Sequence, residues 1–117
     1  MPPAARSLFA FSIYVLAASA SFLVAPSTMV GLLRLPPVGD GWIRVVGLMG
    51  LVIGAYDLVG SRANLLPYIR ASVWTRAGFA AGMTLLVALG QMPPTALGFA
   101  IMDAAGAAWT AKALHHG

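Results

Sequence analysis

GWIRVVGLMGLVIGAYDLVG, residues 41–60, is the stretch whose reading decides the fold. An α-helix needs roughly 20 residues to cross the hydrocarbon of a bilayer, and this run supplies them with only Arg44 and Asp57 as charges. At 100° per residue, Arg44, Gly47, Gly50, Gly54 and Asp57 share one face within about 140° of arc. Gly50 and Gly54 have the G-x-x-x-G spacing that lets membrane helices approach closely. Glycine is frequent in membrane helices, so packing alone accounts for the glycines. The charges ask for more, because each costs about 2.5–3.5 kcal/mol at such depth unless it is paired or lines a polar space.

Three further runs, 7–25, 72–91 and 94–114, match the first in length and apolarity. With 60% of residues hydrophobic and 9% charged, and a mean hydropathy of +0.87, 117 residues cannot hide that much apolar surface from water. The sequence therefore predicts one all-α domain over 1–117, an integral membrane antiparallel four-helix bundle. A short interfacial helix is predicted after the first span, over 28–35, capped by Ser27 and stopped by Pro36 and Pro37. Asp40 and Gly41 turn the chain into the second span, 61–71 forms a polar connection, and 90–94 a tight one. The first run also matches a secretory signal, with Arg6 ahead of it and Ala18-Ser19-Ala20 as a small-residue cleavage site. Cleavage of residues 1–20 would leave three spans. Continuation of the apolar run through Phe22, Leu23, Val24 and Ala25 favours a full span.

Four spans put Arg6, Arg62, Arg70 and Lys112 on one side, with Arg76 just inside it, and Arg34 and Arg44 on the other. The positive-inside rule then predicts both termini in the cytoplasm. Tyr14, Trp42, Tyr68, Trp74 and Trp109 serve as interfacial anchors, Tyr14 somewhat deeper than the rest. The net charge of +4 comes from scattered cations, not the basic cluster a nucleic-acid surface requires. With no cysteine, disulfides, thiolate metal sites and thiol redox chemistry are excluded. His115 and His116 read as tail rather than as metal ligands, and the six methionines are dispersed. Zinc, haem and nucleophilic catalysis lack their usual residue sets. The reading is a protein without catalysis and without a metal or cofactor.

Asp103 lies near mid-span, on a face of Ala96, Phe99, Ala100, Gly106, Ala107 and Thr110 that suits a neighbouring helix. Gly78 and Gly82 offer a second small-residue pair, on a different face from Arg76. Asp57, near the end of its helix, and Arg76, about one turn into the next, fall near one level, which predicts an ion pair. Asp103 is within reach of Arg76 or Arg44, so these four residues are the candidate ligand-binding or buried polar network. Such a network serves either to fix helix register or to hold a headgroup or proton.

W-x-R-x-x-G at 42–47, G-x-Y-D at 54–57, Arg76 and D-x-x-G-x-x-W-T at 103–110 together resemble the small uncharacterised four-helix membrane proteins of bacteria grouped as DoxX-like and BphX-like. The resemblance runs over most of the chain and implies a four-span protein of inner-membrane type. DoxX itself is linked to a quinone-reducing thiosulfate oxidoreductase; no residue here maps as a redox ligand, so that activity does not carry over. The expected function is an accessory or assembly subunit, or a protein holding a lipid, quinone or other apolar molecule within the bundle. Expected partners are membrane lipid, a second copy, or a partner membrane subunit docked on whichever glycine pair the bundle leaves free. The alternative is a small proton-coupled transporter using Asp103. The small multidrug exporters match in length and span number, but they depend on a Glu in the first helix, and this chain has no Glu.

Overall fold

The computed structural model describes residues 1–36 and 39–116, and its regular structure is all helical, with no strand among the described residues. Its elements are α1 (Pro3–Val24), α2 (Pro26–Leu33), α3 (Asp40–Arg62), α4 (Leu66–Ala88), a 3-10 turn (Pro94–Ala96) and α5 (Leu97–His116). Two of them, Pro3–Val24 and Gly41–Arg62, are apolar and long enough to cross a membrane.

Proline sets the helix starts, because its missing N–H falls where a first turn has no acceptor for it. Pro3, Pro26 and Pro67 each occupy a first turn. This corrects two sequence expectations. α2 begins at Pro26, with Ala25 at its N-cap, so Ser27 lies inside the first turn. α3 runs to Arg62 and α4 begins at Leu66, so most of the predicted polar connection is helix.

Left-handed residues set three of the helix ends. Arg34 (φ 52°), Asn64 (φ 50°) and Gly90 (φ 75°) close α2, α3 and α4. Each is followed by the same six-to-one bond: Leu35 N–H to Val30 O (3.1 Å), Leu65 N–H to Gly60 O (3.0 Å) and Gln91 N–H to Leu86 O (2.9 Å). That is the Schellman arrangement, which satisfies carbonyls left over at a helix end. Arg34 ends α2 before Pro36; Pro37, named as part of the stop, lies outside the described residues.

The four long helices pack in the order α3, α1, α5, α4, within 43 × 29 × 18 Å. Neighbours run antiparallel. Against α1, Gly47 faces Phe22 and Leu23, while Gly54 faces Leu16 and Val15. Ser7 and Phe22 of α1 meet Thr110 and Phe99 of α5. Consecutive α3 and α4 are separated by α1 and α5 and touch little beyond their shared turn.

Glycine makes the α1–α3 seam. A Cβ at Gly47 would lie 2.7 Å from Ser19 O and 2.8 Å from Leu23 N, backbone atoms that cannot rotate away. Gly50 lies against Ser19 and Gly54 against Leu16. Gly78 and Gly82, the matching pair on α4, have nothing within 4 Å of a built Cβ; among the described residues they have no packing partner.

Candidate functional site

Small hydroxyls enter the bundle interior by bonding back onto their own helices. Ser7, Ser12, Ser61 and Ser72 are buried, and each donates to a carbonyl three residues earlier at 2.6–2.9 Å. A hydroxyl satisfied in this way needs no water. It can still accept a bond, and Arg76 uses that capacity.

Arg76, on the second turn of the predicted span in α4, is only 4% exposed. Its Nε donates to Ser72 O at 3.1 Å, and Nη2 donates to Ser72 Oγ (3.1 Å) and Thr110 Oγ1 (2.8 Å). Thr110 Oγ1 lies 2.6 Å from Ser7 Oγ. Since the Ser7 hydrogen goes to Ala4 O, Thr110 donates to Ser7. One directed chain, Arg76 to Thr110 to Ser7 to Ala4 O, thus ties α4, α5 and α1 together. The guanidinium carbon also stands 4.8 Å from the centre of the Phe11 ring, a cation–π arrangement. Gly106 makes the room, since a Cβ there would come within 2.7 Å of Phe11 and 3.0 Å of Arg76 Nη1.

Arg76 Nη1 is buried and has no hydrogen-bond partner. A guanidinium carries five N–H donors, so two of them are unspent in the interior, at a cost of about 1–3 kcal/mol or more for a charged group.

The predicted Asp57–Arg76 ion pair does not form. Asp57, 6% exposed, instead accepts a 2.6 Å hydrogen bond from the Tyr68 hydroxyl. Equal depth along the chain does not make neighbours: with α3 and α4 on opposite flanks, Arg76 turns toward α5 and α1. Tyr68, expected as an interfacial anchor, is the carboxylate's partner. Its ring lies against Gly60, where a Cβ would come within 2.6 Å.

Asp103 is half-buried on α5. Arg76, Asp57 and Tyr14 all lie within its electrostatic range, yet it closes on none of them as an ion pair or hydrogen bond. Its neighbours on the predicted small face, Ala96, Ala100, Gly106, Ala107 and Thr110, are the buried ones. Arg44 stands apart from this cluster. It is exposed and donates from Nε to Leu23 O at 3.3 Å, about 20 Å along α3 from Asp57. It belongs to the α1–α3 junction and not to the network.

The site is therefore layered. Ser7, Ser72 and Thr110 form a closed layer. Phe11, Arg76 and Gly106 lie one turn above, and Tyr14 and Asp103, both half-buried, one turn beyond that. The hydroxyl side of the cluster is buried, and the Tyr14 and Asp103 side is half-buried. An apolar groove of about 640 Å³ between α4 and α5, floored by Ala80 and Ala100, is a separate feature, roughly 110° around both helices from Arg76 and Asp103.

Ser72 was legible as the residue one turn before Arg76. The Ser7 and Tyr68 contacts cross between helices, and no sequence spacing announces them. Comparison with protein-family models, with curated proteins and with solved structures gives no match.

Proposed function

We propose that the chain is a four-span integral membrane protein that acts by binding, holding an amphiphilic molecule in its interior with the polar end at Arg76. The membrane reading is supported by an inverted distribution of polarity. Asp57, Arg76, Thr110 and five serines are buried, whereas Val46, Leu48, Met49, Val59, Leu85 and Ile101 are exposed, and Trp74 is 80% exposed. A surface that apolar marks contact with lipid or protein. Exposed Arg6, Arg62, Arg70 and Lys112 gather at one end and Arg34 and Arg44 at the other, which fits cytoplasmic termini in an inner membrane. α1 packs between α3 and α5 and contributes Ser7 and Phe11 to the cluster, which favours its retention over cleavage as a signal. The resemblance to DoxX-like and BphX-like proteins agrees with this topology and adds no activity.

The observation that carries the binding reading is the buried, unpartnered Arg76 Nη1. Buried polar atoms are nearly always satisfied, and an exception points to a missing ligand or water. Quinone, neutral lipid and phospholipid are all amphiphiles of this kind. Native mass spectrometry of the untagged chain, extracted gently from its own membranes, tests the reading. A constant additional small-molecule mass that Arg76→Gln removes is the expected result. A bound second protein in its place indicates an accessory subunit instead.

Asp103 supports a second reading, proton-coupled transport. A half-buried carboxyl without an ion-pair or hydrogen-bond partner is free to exchange a proton, which a carboxylate locked to Arg76 is not. Proton-dependent uptake into vesicles, lost in Asp103→Asn, is the corresponding test.

A further inference from the structure

We infer that the Arg76 guanidinium has two resting places and that Asp103 chooses between them. With the Asp103 carboxyl protonated, the guanidinium rests on Ser72 and Thr110 as in this structure; with it ionised, the guanidinium moves one turn along α5 and forms an ion pair with the carboxylate. The inference goes beyond both readings above, since it concerns the chain alone and needs no bound molecule.

Three observations lead to it. First, each group lacks what the other has. Arg76 Nη1 is buried without a hydrogen-bond partner, and Asp103, half-buried, closes on no donor among the described residues. A buried donor left unspent is an exception in folded proteins, and a carboxylate within reach remedies it with a charge-assisted bond. Second, the two are close, and the position between them on α5 is a glycine. Nη1 lies 3.0 Å from where a Gly106 Cβ would be. Asp103, three residues earlier, has its Cβ about 5–6 Å from that same point. Nη1 and the Asp103 Cβ are therefore no more than about 9 Å apart, a gap that rotation of the long arginine stem and of the carboxylate closes between them. Third, an aromatic surface lies along the path. The guanidinium carbon stands 4.8 Å over the Phe11 ring, and that ring's centre is 5.5 Å from the centre of Tyr14, which is in the layer of Asp103. A guanidinium passing from one ring toward the next keeps an aromatic contact. The groups that face Asp103 are Arg76 from α4, Asp57 from α3 and Tyr14 from α1. Asp57 is occupied by Tyr68, so Arg76 is the cation of the set. Moving it gives up bonds to Ser72 and Thr110, and burying an ion pair carries its own desolvation cost. The two positions are thus close enough in free energy for one proton to decide.

The full chain, reconstituted in phosphatidylcholine bilayers with isotope-labelled arginine guanidinium nitrogens and aspartate carboxyl carbons, tests this by solid-state nuclear magnetic resonance, which reads their proximity. At pH 9 one carboxyl is expected to couple to an arginine nitrogen at ion-pair distance, and the coupling is expected to vanish at pH 4 and in Asp103→Asn. Thr110→Val adds a readout that a fixed pair would not move, because it removes an acceptor used in the first position alone. Its loss in unfolding midpoint is expected to be at least about twice as large at pH 4 as at pH 9, and Asp103→Asn is expected to make the two losses equal. If Thr110→Val does not fold, Ser72→Ala takes its place, since it removes the other hydroxyl of that position. An Asp103 carboxyl coupled to arginine at both pH values, or at neither, overturns the switch. So does a hydroxyl variant whose loss is the same at pH 4 and pH 9 with Asp103 in place, for Arg76 then never leaves its hydroxyls.

Discussion

α3 and α4 carry the same motif and put it to opposite uses. Gly50 and Gly54 face α1, where Ser19 and Leu16 fill the room they leave, while Gly78 and Gly82 face outward with nothing within 4 Å. G-x-x-x-G spacing is a permission for close approach, and a permission does not name its user. What decides is helix order. α1 lies between α3 and α5, so α3 has a neighbour on its small face, whereas α4 sits at the flank, packed chiefly against α5. The charges repeat the contrast. Asp57 on α3 is served by one hydroxyl, Tyr68, near the shared turn, whereas Arg76 on α4 reaches across two helices.

The largest expected effect tests the filled seam. Gly47→Ala places a methyl on the backbone of Ser19 and Leu23, and the helix must move to admit it. Overpacking of this kind costs about 1–3 kcal/mol, and with backbone on the receiving side we expect about 3, measured as a shift in reversible unfolding followed by helical circular dichroism in mixed detergent. An unchanged midpoint would mean that α1 does not lie on α3.

Next comes the carboxylate. Tyr68→Phe keeps the ring against Gly60 and deletes only the hydroxyl, leaving Asp57 without its 2.6 Å donor. Loss of a hydrogen bond to a buried charged group costs about 1.5–3 kcal/mol. Adding Asp57→Asn to this variant should recover part of the loss, because a neutral amide is cheaper to leave unpaired than a carboxylate. A double variant no better than Tyr68→Phe alone would show that the charge on Asp57 is not what Tyr68 serves.

Thr110→Val sharpens the contrast on the α4 side. The substitution is isosteric and removes the hydroxyl that accepts from Arg76 and donates to Ser7. Arg76 keeps its two bonds to Ser72, so the loss should be about 1–1.5 kcal/mol, smaller than for Tyr68→Phe. Ser7→Ala in the Thr110→Val background should then cost little more, since the chain is already cut. Full additivity of the two would show that the hydroxyls act independently.

Much of the fold was legible, and the failures have two causes. Runs of about 20 apolar residues located the long helices, and the small face around Asp103 is the buried face of α5. The start of α4 was misplaced because Pro67 looks like a breaker among polar neighbours, although a first turn accepts proline freely. The ion pair failed for a different reason. Rise per residue fixes how deep Asp57 and Arg76 lie, but nothing along the chain states which helix stands between them. Arg44 went wrong in the same way, since it shares a helix face with Asp57 while lying at the far end of the bundle. Periodicity reads one helix at a time; the site is made between helices.

The smallest effect has the opposite sign, which makes it the most discriminating. Gly78 and Gly82 have open space where a Cβ would go, and both lie inside α4, where glycine is a poorer helix former than alanine. Gly78→Ala and Gly82→Ala should therefore each stabilise the isolated chain, by about 0.5–1 kcal/mol. The same substitution is thus expected to weaken the fold at Gly47 and strengthen it at Gly78. Stabilisation in dilute detergent together with loss of a dimer at high protein concentration would locate a second copy on this face, because a partner helix needs the room the methyls take. Stabilisation with no change of mass would leave the α4 face to lipid. Destabilisation of the monomer is the one result the helix order α3, α1, α5, α4 does not allow, for it would require a segment of the chain's own to be packed where the structure leaves the glycines bare.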